Sequence, residues 1–438
     1  MIVIAVRRIS VMAFLLSLAC APLWAQTAIE SNAGVQFDFV NPGARSLAMG
    51  GAFVALADDA TAAFTNPAGL RPSISKKEVS AEGRFWAFNT PYTSGGRLGG
   101  PPQNKGIDTA SDLLSSSSQQ STGSPAFVSF VYPAGRWAVS IYGQQVSNFS
   151  FAATSQGPFV QLSNGRDARV LPFQATLGLQ VARYGLSGSY KVNDWFAVGA
   201  GVIWYDFSLI SYTQRFPIVL TGEQFYDASG FSDVPYSQLQ TGNDRRVGVT
   251  AGLIASVTPK IHFGAVYRQG ARFATTTTGS MSPDGSFSVP SVFSIGTALH
   301  PMEPLKVTLD YSRVQYSAMA DNFTLAFGSG GFATSTSDFK VDDANEVHLG
   351  AEYQFLQLAR PVAVRIGTWY DPDHAIRFAP ADSTNPDPFY ATGFRPGKNV
   401  VHGTGGAGVA FPNQLEINAG VDISSKTKTF SVSTVVRF

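Results

Sequence analysis

Groups able to do covalent chemistry are few and scattered in this 438-residue sequence. The five histidines, His262, His300, His348, His374 and His402, lie far apart and show none of the close spacings that build a metal site. Gly185-Leu186-Ser187-Gly188-Ser189 approaches a nucleophile elbow, but its last position is Ser instead of Gly and the run alternates like a strand. Gly43 to Gly51 is glycine-bearing yet lacks the Lys-Ser/Thr ending with which a phosphate loop grips its ligand. Cys20 is the single cysteine and lies in the leader-like start, so the mature chain holds no disulfide and no cysteine-ligated metal. An inward Asp, His or Ser of a barrel can form a hydrolytic site, but no motif supports one here. No catalytic residue, metal or cofactor is therefore assigned, and the chain is not expected to be an enzyme.

What remains is apolar chemistry, and the elements that present it are strands. Charged residues make up 14% of the sequence, against roughly 25% in ordinary soluble domains. Net charge is +1, with no basic excess to suggest nucleic acid. Aromatics are plentiful, with 33 Phe and 15 Tyr. Glu346 to Phe355 places Val347, Leu349, Ala351, Tyr353 and Phe355 on one face and His348, Gly350, Glu352 and Gln354 on the other. Gln414 to Ile423 repeats the scheme, as do Arg246 to Val257, Ile261 to Gln269, Leu305 to Ser312 and Val362 to Tyr370. A soluble sandwich would alternate too. These apolar faces, however, carry no charge, as expected where Arg or Lys in lipid costs about 2–4 kcal/mol. The runs are also about ten residues long, the length of a tilted membrane-crossing strand.

Fourteen candidate strands begin near Glu78, Pro125, Arg136, Gln174, Asp194, Asp244, Lys260, Pro290, Pro304, Asn345, Pro361, Asn399, Asn413 and Thr427. Their connections alternate in length. Pro133 to Gly135, Lys191 to Asp194, Thr258 to Lys260, Pro301 to Pro304, Gln357 to Pro361 and Pro412-Asn413 are short. Thr90 to Ser124, Ser150 to Phe173, Ser211 to Asn243, Ala271 to Val289, Val314 to Ala344 and Asp371 to Lys398 are long, and only Ser424 to Lys426 breaks the parity. Short periplasmic turns opposite long outer loops describe an outer-membrane barrel. The final strand, with Phe430, Val432, Thr434, Val436 and Phe438 on one face, resembles the signal read by the barrel-assembly machinery, so Phe438 marks an expected contact with it.

The N-terminus has the parts of a secretory signal over residues 1–25, with Arg7 and Arg8 flanking the apolar Ile9 to Ala19 and a cleavage point after Ala25. A lipoprotein signal would instead lipidate Cys20, though Ser17 stands where such signals usually carry Leu. Residues 26–77, ahead of the first strand, differ from all that follows. Asn41 to Leu70 is rich in Ala and Gly, shows no alternation, and has only Arg45, Asp58 and Asp59 charged. A barrel of fourteen strands is wide enough to leak unless something fills it. This segment is expected to be that plug, with 78–438 as the barrel. Gly50 and Gly51 allow close backbone packing, Asp58 and Asp59 suit the start of a helical turn, and Asn66-Pro67 suits a cap followed by Pro at the first position.

Gly43 to Leu70, G-A-R-S-L-A-M-G-G-A-F-V-A-L-A-D-D-A-T-A-A-F-T-N-P-A-G-L, resembles the N-terminal hatch of the FadL/TodX family of outer-membrane transporters of hydrophobic compounds. Asn66, Pro67 and Ala68 match the Asn-Pro-Ala motif of that hatch. Leu309 to Ser317 and Leu349 to Tyr353 resemble the strand patterns of the family, although Val314 and Tyr316 stand where it usually has Trp. The resemblance implies a transmembrane antiparallel β-barrel of fourteen strands plugged by a partly helical hatch. It also implies an outer groove built by long loops and a lateral exit at an inward kink of the third strand.

Candidate site residues follow. Asn66, Pro67 and Ala68, with Gly50 and Gly51, are hatch and gating candidates, the plain alternative being a turn that only helps the segment fold. Phe149, Phe151, Phe216, Phe225 and Phe231 are groove candidates, the alternative being loop packing or the interfacial aromatic girdle. Gly143, where alternation weakens before Gln144-Gln145, is the kink candidate, the alternative being an ordinary small wall residue. Together these readings describe passive inward transport of small hydrophobic molecules. Fatty acids are the first expectation and monoaromatics the second, with membrane lipid around the barrel. The competing readings are a barrel that partners a secreted or anchored protein without transporting, and a general polar porin.

Overall fold

Alternation of side chains becomes a hydrogen-bonded ladder in the computed structural model, which describes residues 29–36, 39–162, 164–218, 222–233, 235–278, 284–321, 323, 338–381 and 387–438. The expected signal over residues 1–25 lies outside the described residues. Six strands open the barrel: β1 Glu78–Leu98, β2 Leu113–Ala134, β3 Trp137–Ser155, β4 Phe173–Lys191, β5 Phe196–Arg215 and β6 Tyr236–Thr258. Two interrupted strands follow, β7 as Ile261–Arg268 with Ala271–Thr278, and β8 as Asp284–Val289 with Val292–Met302. The remainder are β9 Leu305–Val314, β10 Ala344–Phe355, β11 Val362–Asp371, β12 Val400–Ala410, β13 Leu415–Ile423 and β14 Thr427–Arg437.

Each strand pairs antiparallel with the next, and β14 returns to β1 from Glu78↔Arg437 to Phe88↔Thr427, closing a fourteen-strand barrel. Most strands begin within a residue or two of the sequence reading. The outer halves of β1, β2 and β6 differ, running to 21, 22 and 23 residues where about ten were expected. There both faces are polar, as in Leu113-Leu-Ser-Ser-Ser-Ser-Gln-Gln-Ser-Thr, so the hydrophobic alternation fades while main-chain pairing continues. For the same reason Ala271–Thr278 and Asp284–Val289, expected as parts of a loop, are strand in β7 and β8. The pleat sends Val347, Leu349, Ile366, Val401 and Phe430 outward and exposed, and Glu346, His348, Glu352, Arg365 and Ser431 inward and buried.

Ahead of β1, the described residues from Ile29 to Ile74 lie largely inside the barrel. They make short helical turns at Ile29–Asn32, Ala44–Ala48, Ala62–Thr65, Pro67–Gly69 and Leu70–Ser73. Their polar main chain is satisfied by the wall. Ser129 of β2 donates to Ala60 O, Ser187 and Ser189 of β4 to Ala63 O and Ala68 O, and Thr404 of β12 to Ala48 O. On other sides, Val54 N donates to Asp310 of β9 and Ala44 N to Ser433 of β14. Asp58 does not cap a helix as its position suggested. Its carboxylate is drawn to Arg45 and Lys306, while Asp59 accepts from Thr61 N at 2.9 Å in an Asx turn.

Candidate functional site

Asn66 joins the inner segment to two strands at once. Its Oδ1 accepts from Ala68 N at 3.2 Å, capping the Pro67–Gly69 turn, while its Nδ2 faces Val54 O at 3.0 Å, Leu253 O of β6 at 3.1 Å and Ala265 O of β7 at 3.4 Å. The wall is notched to receive it. A Cβ at Gly252 of β6 would run into Asn66 Oδ1, and one at Gly199 of β5 into the Pro67–Ala68 peptide. Opposite, Gly50 (φ +66°) and Gly51 (φ +76°) turn the chain so closely against β10 and β11 that a Cβ on Gly50 would sit 2.9 Å from both Leu349 O and Thr368 O.

Between these anchors runs a buried ion network. Arg45 binds Glu352 of β10 through two bonds and Asp58 through two more, and Arg365 of β11 reaches the same Glu352 at 2.6 Å. Burial pushes the Asp58 carboxyl up, but Arg45 and Lys306 outweigh it and hold the group well below its ordinary range. The same carboxylates hold the Arg45 guanidinium above its ordinary value against the effect of burial.

Among the described strands the β6–β7 ladder lapses between Thr250↔Arg268 and Thr241↔Thr276 and resumes beyond, whereas the β2–β3 ladder ends and does not resume. β2 and β3 pair only from Phe127↔Gln144 to Ala134↔Trp137, although β2 continues outward beside β1 and β3 beside β4. Gly143 itself lies in the regular ladder, opposite Val128 and Tyr184. The irregularity is the bulge between Gln145 and Ser147, which inserts Val146 and changes the parity of the inward face. Before it Ala138, Ser140, Tyr142 and Gln144 are buried; after it Phe149, Phe151, Ala153 and Ser155 are. Across the gap the bonds involve side chains, Asn148 Nδ2 donating to Thr122 Oγ1 at 2.9 Å and Ser118 Oγ accepting from the main-chain N–H of Ala152.

Two narrow cavities border the inner segment, the first facing β7 to β11 and the second reaching the gap. One touches Gly50, Gly51, Phe64, Arg268 and His348; the other touches Trp86, Phe88 and the bulge residues Val146 to Asn148. Val40, Trp369 and Asp422 border both. Beyond them the lumen wall is apolar, with Leu177, Leu179, Phe207, Phe273 and Phe287 buried in one continuous cluster.

The five groove candidates do not converge. Phe149 and Phe151 belong to β3, not to a loop, and pack edge-on against Phe88 and Tyr92 of β1. Phe225 and Phe231 tie the loop after β5 to the loop after β3, through the Phe159 ring and the Arg169 guanidinium. Phe216 is half-buried where that loop leaves β5. An open outer cleft of about 420 Å3 is lined instead by Phe378, Pro380, Phe394 and Arg395.

Sequence spacing also gave no sign of two inner clusters. Trp369 stacks on His402 at 3.8 Å and on His348 at 5.3 Å, with Asp422 bonded to both His402 Nδ1 and Trp369 Nε1. Arg183 and Arg268 converge on the Phe64 ring. These groups sit on different strands and meet only when the sheet closes. The one available signal was an Arg on the inward parity of a strand. Among the described residues no group of three potential ligands is placed to hold a metal, and no helix is long and apolar enough to cross a membrane.

Residues 23–388 match the family model described as outer membrane protein transport protein (OMPP1/FadL/TodX). The chain belongs to that family. It is an outer-membrane transport protein and not an enzyme. The OMPP1/FadL/TodX fold is seen in the similar solved structures. The Ralstonia pickettii toluene transporter TbuX is 18% identical, with 92% of this chain and 99% of that one covered and a TM-score of 0.57. A Pseudomonas aeruginosa FadL homologue is 15% identical over 91% and 99%, with a TM-score of 0.59. The toluene transporter TodX of P. putida is 15% identical over 92% and 99%, with a TM-score of 0.54. No curated protein sequence matches the chain.

Proposed function

We propose that the barrel passes small hydrophobic molecules inward across the outer membrane without an energy source. Long-chain fatty acids are the first substrate class. Monoaromatic hydrocarbons, the class in the printed names of the toluene transporters, are the second. In this reading residues 26–77 are the hatch and 78–438 the barrel, after removal of a signal at 1–25. A ligand enters among the outer loops, where Phe149, Phe151, Phe216, Phe225 and Phe231 are the aromatic groups nearest its way in. It descends along the apolar wall to the cavity over Gly50 and Gly51. A shift of the hatch about Asn66-Pro67-Ala68 then lets it leave sideways between β2 and β3, beside Gly143. The β14 strand ahead of Phe438 serves recognition by the barrel-assembly machinery, and the outward apolar faces meet lipid.

The observation that carries this reading is the end of the β2–β3 ladder at Gln144, next to a cavity bounded by Val146 to Asn148. An apolar upper lumen favours hydrophobic cargo over the solutes of a polar porin. The test is uptake of radiolabelled long-chain fatty acid and of toluene by cells with and without the protein. Faster uptake of either, driven by its gradient, is expected. Unchanged uptake of both, with loss of a secreted or anchored protein from the cell surface, would replace transport by a secretion-partner role.

A further inference from the structure

The rim of short turns carries an uneven charge. Lys76, Lys77, Arg136, Lys260 and Arg360 are exposed on it, against Asp194 and Glu303 as its exposed acids. Several of its cations already have partners. Lys76 donates to Gln414 Oε1 at 2.6 Å, Lys191 pairs with Asp194 at 2.8 Å, and the Arg360 guanidinium lies over the Phe411 ring. Three others converge at the feet of β1, β2 and β3. Arg71 of the inner segment donates its Nε to Gly135 O in the β2–β3 turn. Arg136 is the next residue of that turn, and Lys77, leading into β1, holds its ammonium 5.3 Å from the centre of the Tyr132 ring of β2. None of the three has a carboxylate within ion-pair distance among the described residues. Glu78, next to Lys77, faces the lumen and binds Arg437, while Phe438 O takes the Lys77 main-chain N–H and not its ammonium. Of Arg136 only Nη1 meets an acceptor among the described residues, Val192 O at 3.3 Å.

Their surroundings are those of a membrane interface. Tyr132 and Trp137 are exposed on the outward face, Trp137 packs on Tyr190 at 4.5 Å, and Trp195 is exposed beside the neighbouring turn. Amphipathic rings of this kind sit at headgroup level. Further along the same outward parity, Val128 of β2 and Val139 and Ile141 of β3 are exposed and apolar. The cations therefore stand at the height of lipid headgroups, beside a surface for acyl chains. In an outer-membrane barrel the short turns face the periplasm, and the leaflet on that side is built of phospholipid. A guanidinium and an ammonium with open donors match phosphate oxygens.

We propose that Arg71, Lys77 and Arg136 form a docking site for the phosphate of an anionic phospholipid of the periplasmic leaflet, its acyl chains lying along Val128, Val139 and Ile141. The site lies outside the lumen and is independent of what the barrel passes. Its three cations come from the inner segment, the entry to β1 and the β2–β3 turn, so one headgroup bridges all three. A lipid held there relieves the repulsion among like charges. It also ties the end of the inner segment to the foot of the ladder that stops at Gln144.

The test is tryptophan quenching in the full protein reconstituted in phosphatidylcholine vesicles, since Trp137 and Trp195 lie beside the site. Dibrominated phosphatidylglycerol is added in increasing amounts, with dibrominated phosphatidylcholine as the reference. Phosphatidylglycerol is expected to fill a saturable site with a preference of roughly ten-fold, the effect of one or two cations near the surface. The preference should fall as salt is raised. Lys77→Gln with Arg136→Gln should abolish it, while Lys260→Gln with Arg360→Gln on the same rim should keep it. All four side chains are exposed, so both double variants are expected to fold, as heat-modified gel mobility checks, and the salt dependence needs no variant. Soluble glycerophosphate, a headgroup without chains, should not displace the lipid. Equal quenching by the two lipids overturns the inference, as does a preference that ignores salt or survives Lys77→Gln with Arg136→Gln. Full displacement by glycerophosphate also overturns it, since the site would then hold soluble phosphate. Each of these outcomes leaves the transport reading standing.

Discussion

Arg45 of the inner segment and Glu352 of β10 form a two-pronged ion pair, Nε to Oε2 at 2.8 Å and Nη2 to Oε1 at 3.0 Å. Both side chains are almost wholly buried, and the same carboxylate takes Arg365 at 2.6 Å. Glu352 is therefore the charged tie between the plug and the wall at β10, beside the neutral bonds made elsewhere. Glu352→Ala leaves Arg365 without its short partner and Arg45 with only its aspartates. We expect a loss of about 3–5 kcal/mol in unfolding free energy, the cost of breaking a buried pair from one side. Stepwise conductance in planar bilayers should also appear as the segment loosens. A variant that stays as stable and as tightly sealed as the parent would show that the network does not hold the plug.

The Asn66 carboxamide can be separated from the turn it caps. Asn66→Ala removes a cap worth about 1 kcal/mol and the amide bond to Leu253 O of the wall. A residue that only supports folding would lower the melting temperature without altering uptake per folded barrel. The proposed gating role predicts that uptake per folded barrel changes as well. Gly252→Val, which drives a side chain into Asn66 Oδ1 from the wall, should reproduce that change without touching the motif.

How much of this could be read from the sequence depended on distance along the chain. Strands such as Glu346 to Phe355 were legible because lipid on one side and lumen on the other enforce a two-residue alternation. The outer halves of β1 and β2 were not, because Ser115 to Ser118 meet no lipid and carry no such signal. At the third strand the lapse of alternation near Gln144-Gln145 was visible, but Gly143 drew attention from Val146, whose insertion only the register reveals. Glycines at 50 and 51 announced close approach. By contrast, the convergence of Arg183 and Arg268 on Phe64, and of His348 and His402 on Trp369, follows from closure of the barrel and left no local spacing to find.

The bulge makes a separable prediction. Deleting Val146 restores regular alternation in β3 while keeping Phe149 inward, so β3 can continue its ladder with β2 beyond Gln144. The variant should fold at least as stably as the parent, judged by its heat-modified gel mobility, yet lose most of its uptake. Full uptake would mean that the bulge is not part of the path.

Lipid contact is tested on β11. Ile366, at 69% exposure, is the most exposed large apolar side chain of the described residues and lies mid-strand. Ile366→Arg should cost about 2–4 kcal/mol in folding into vesicles, measured by denaturant titration. No cost would place that face in water.

The central claim is that cargo leaves through the wall between β2 and β3, and cross-linking that gap tests it most directly. Thr122 and Asn148 face each other across it, side chain to side chain at 2.9 Å, and Cys20 is the sole cysteine in the sequence. In cells carrying Thr122→Cys with Asn148→Cys, oxidation should stop uptake of the labelled ligand and reduction should restore it, each single variant being unaffected by either. Uptake that continues at the parent rate with the gap covalently closed would contradict the account.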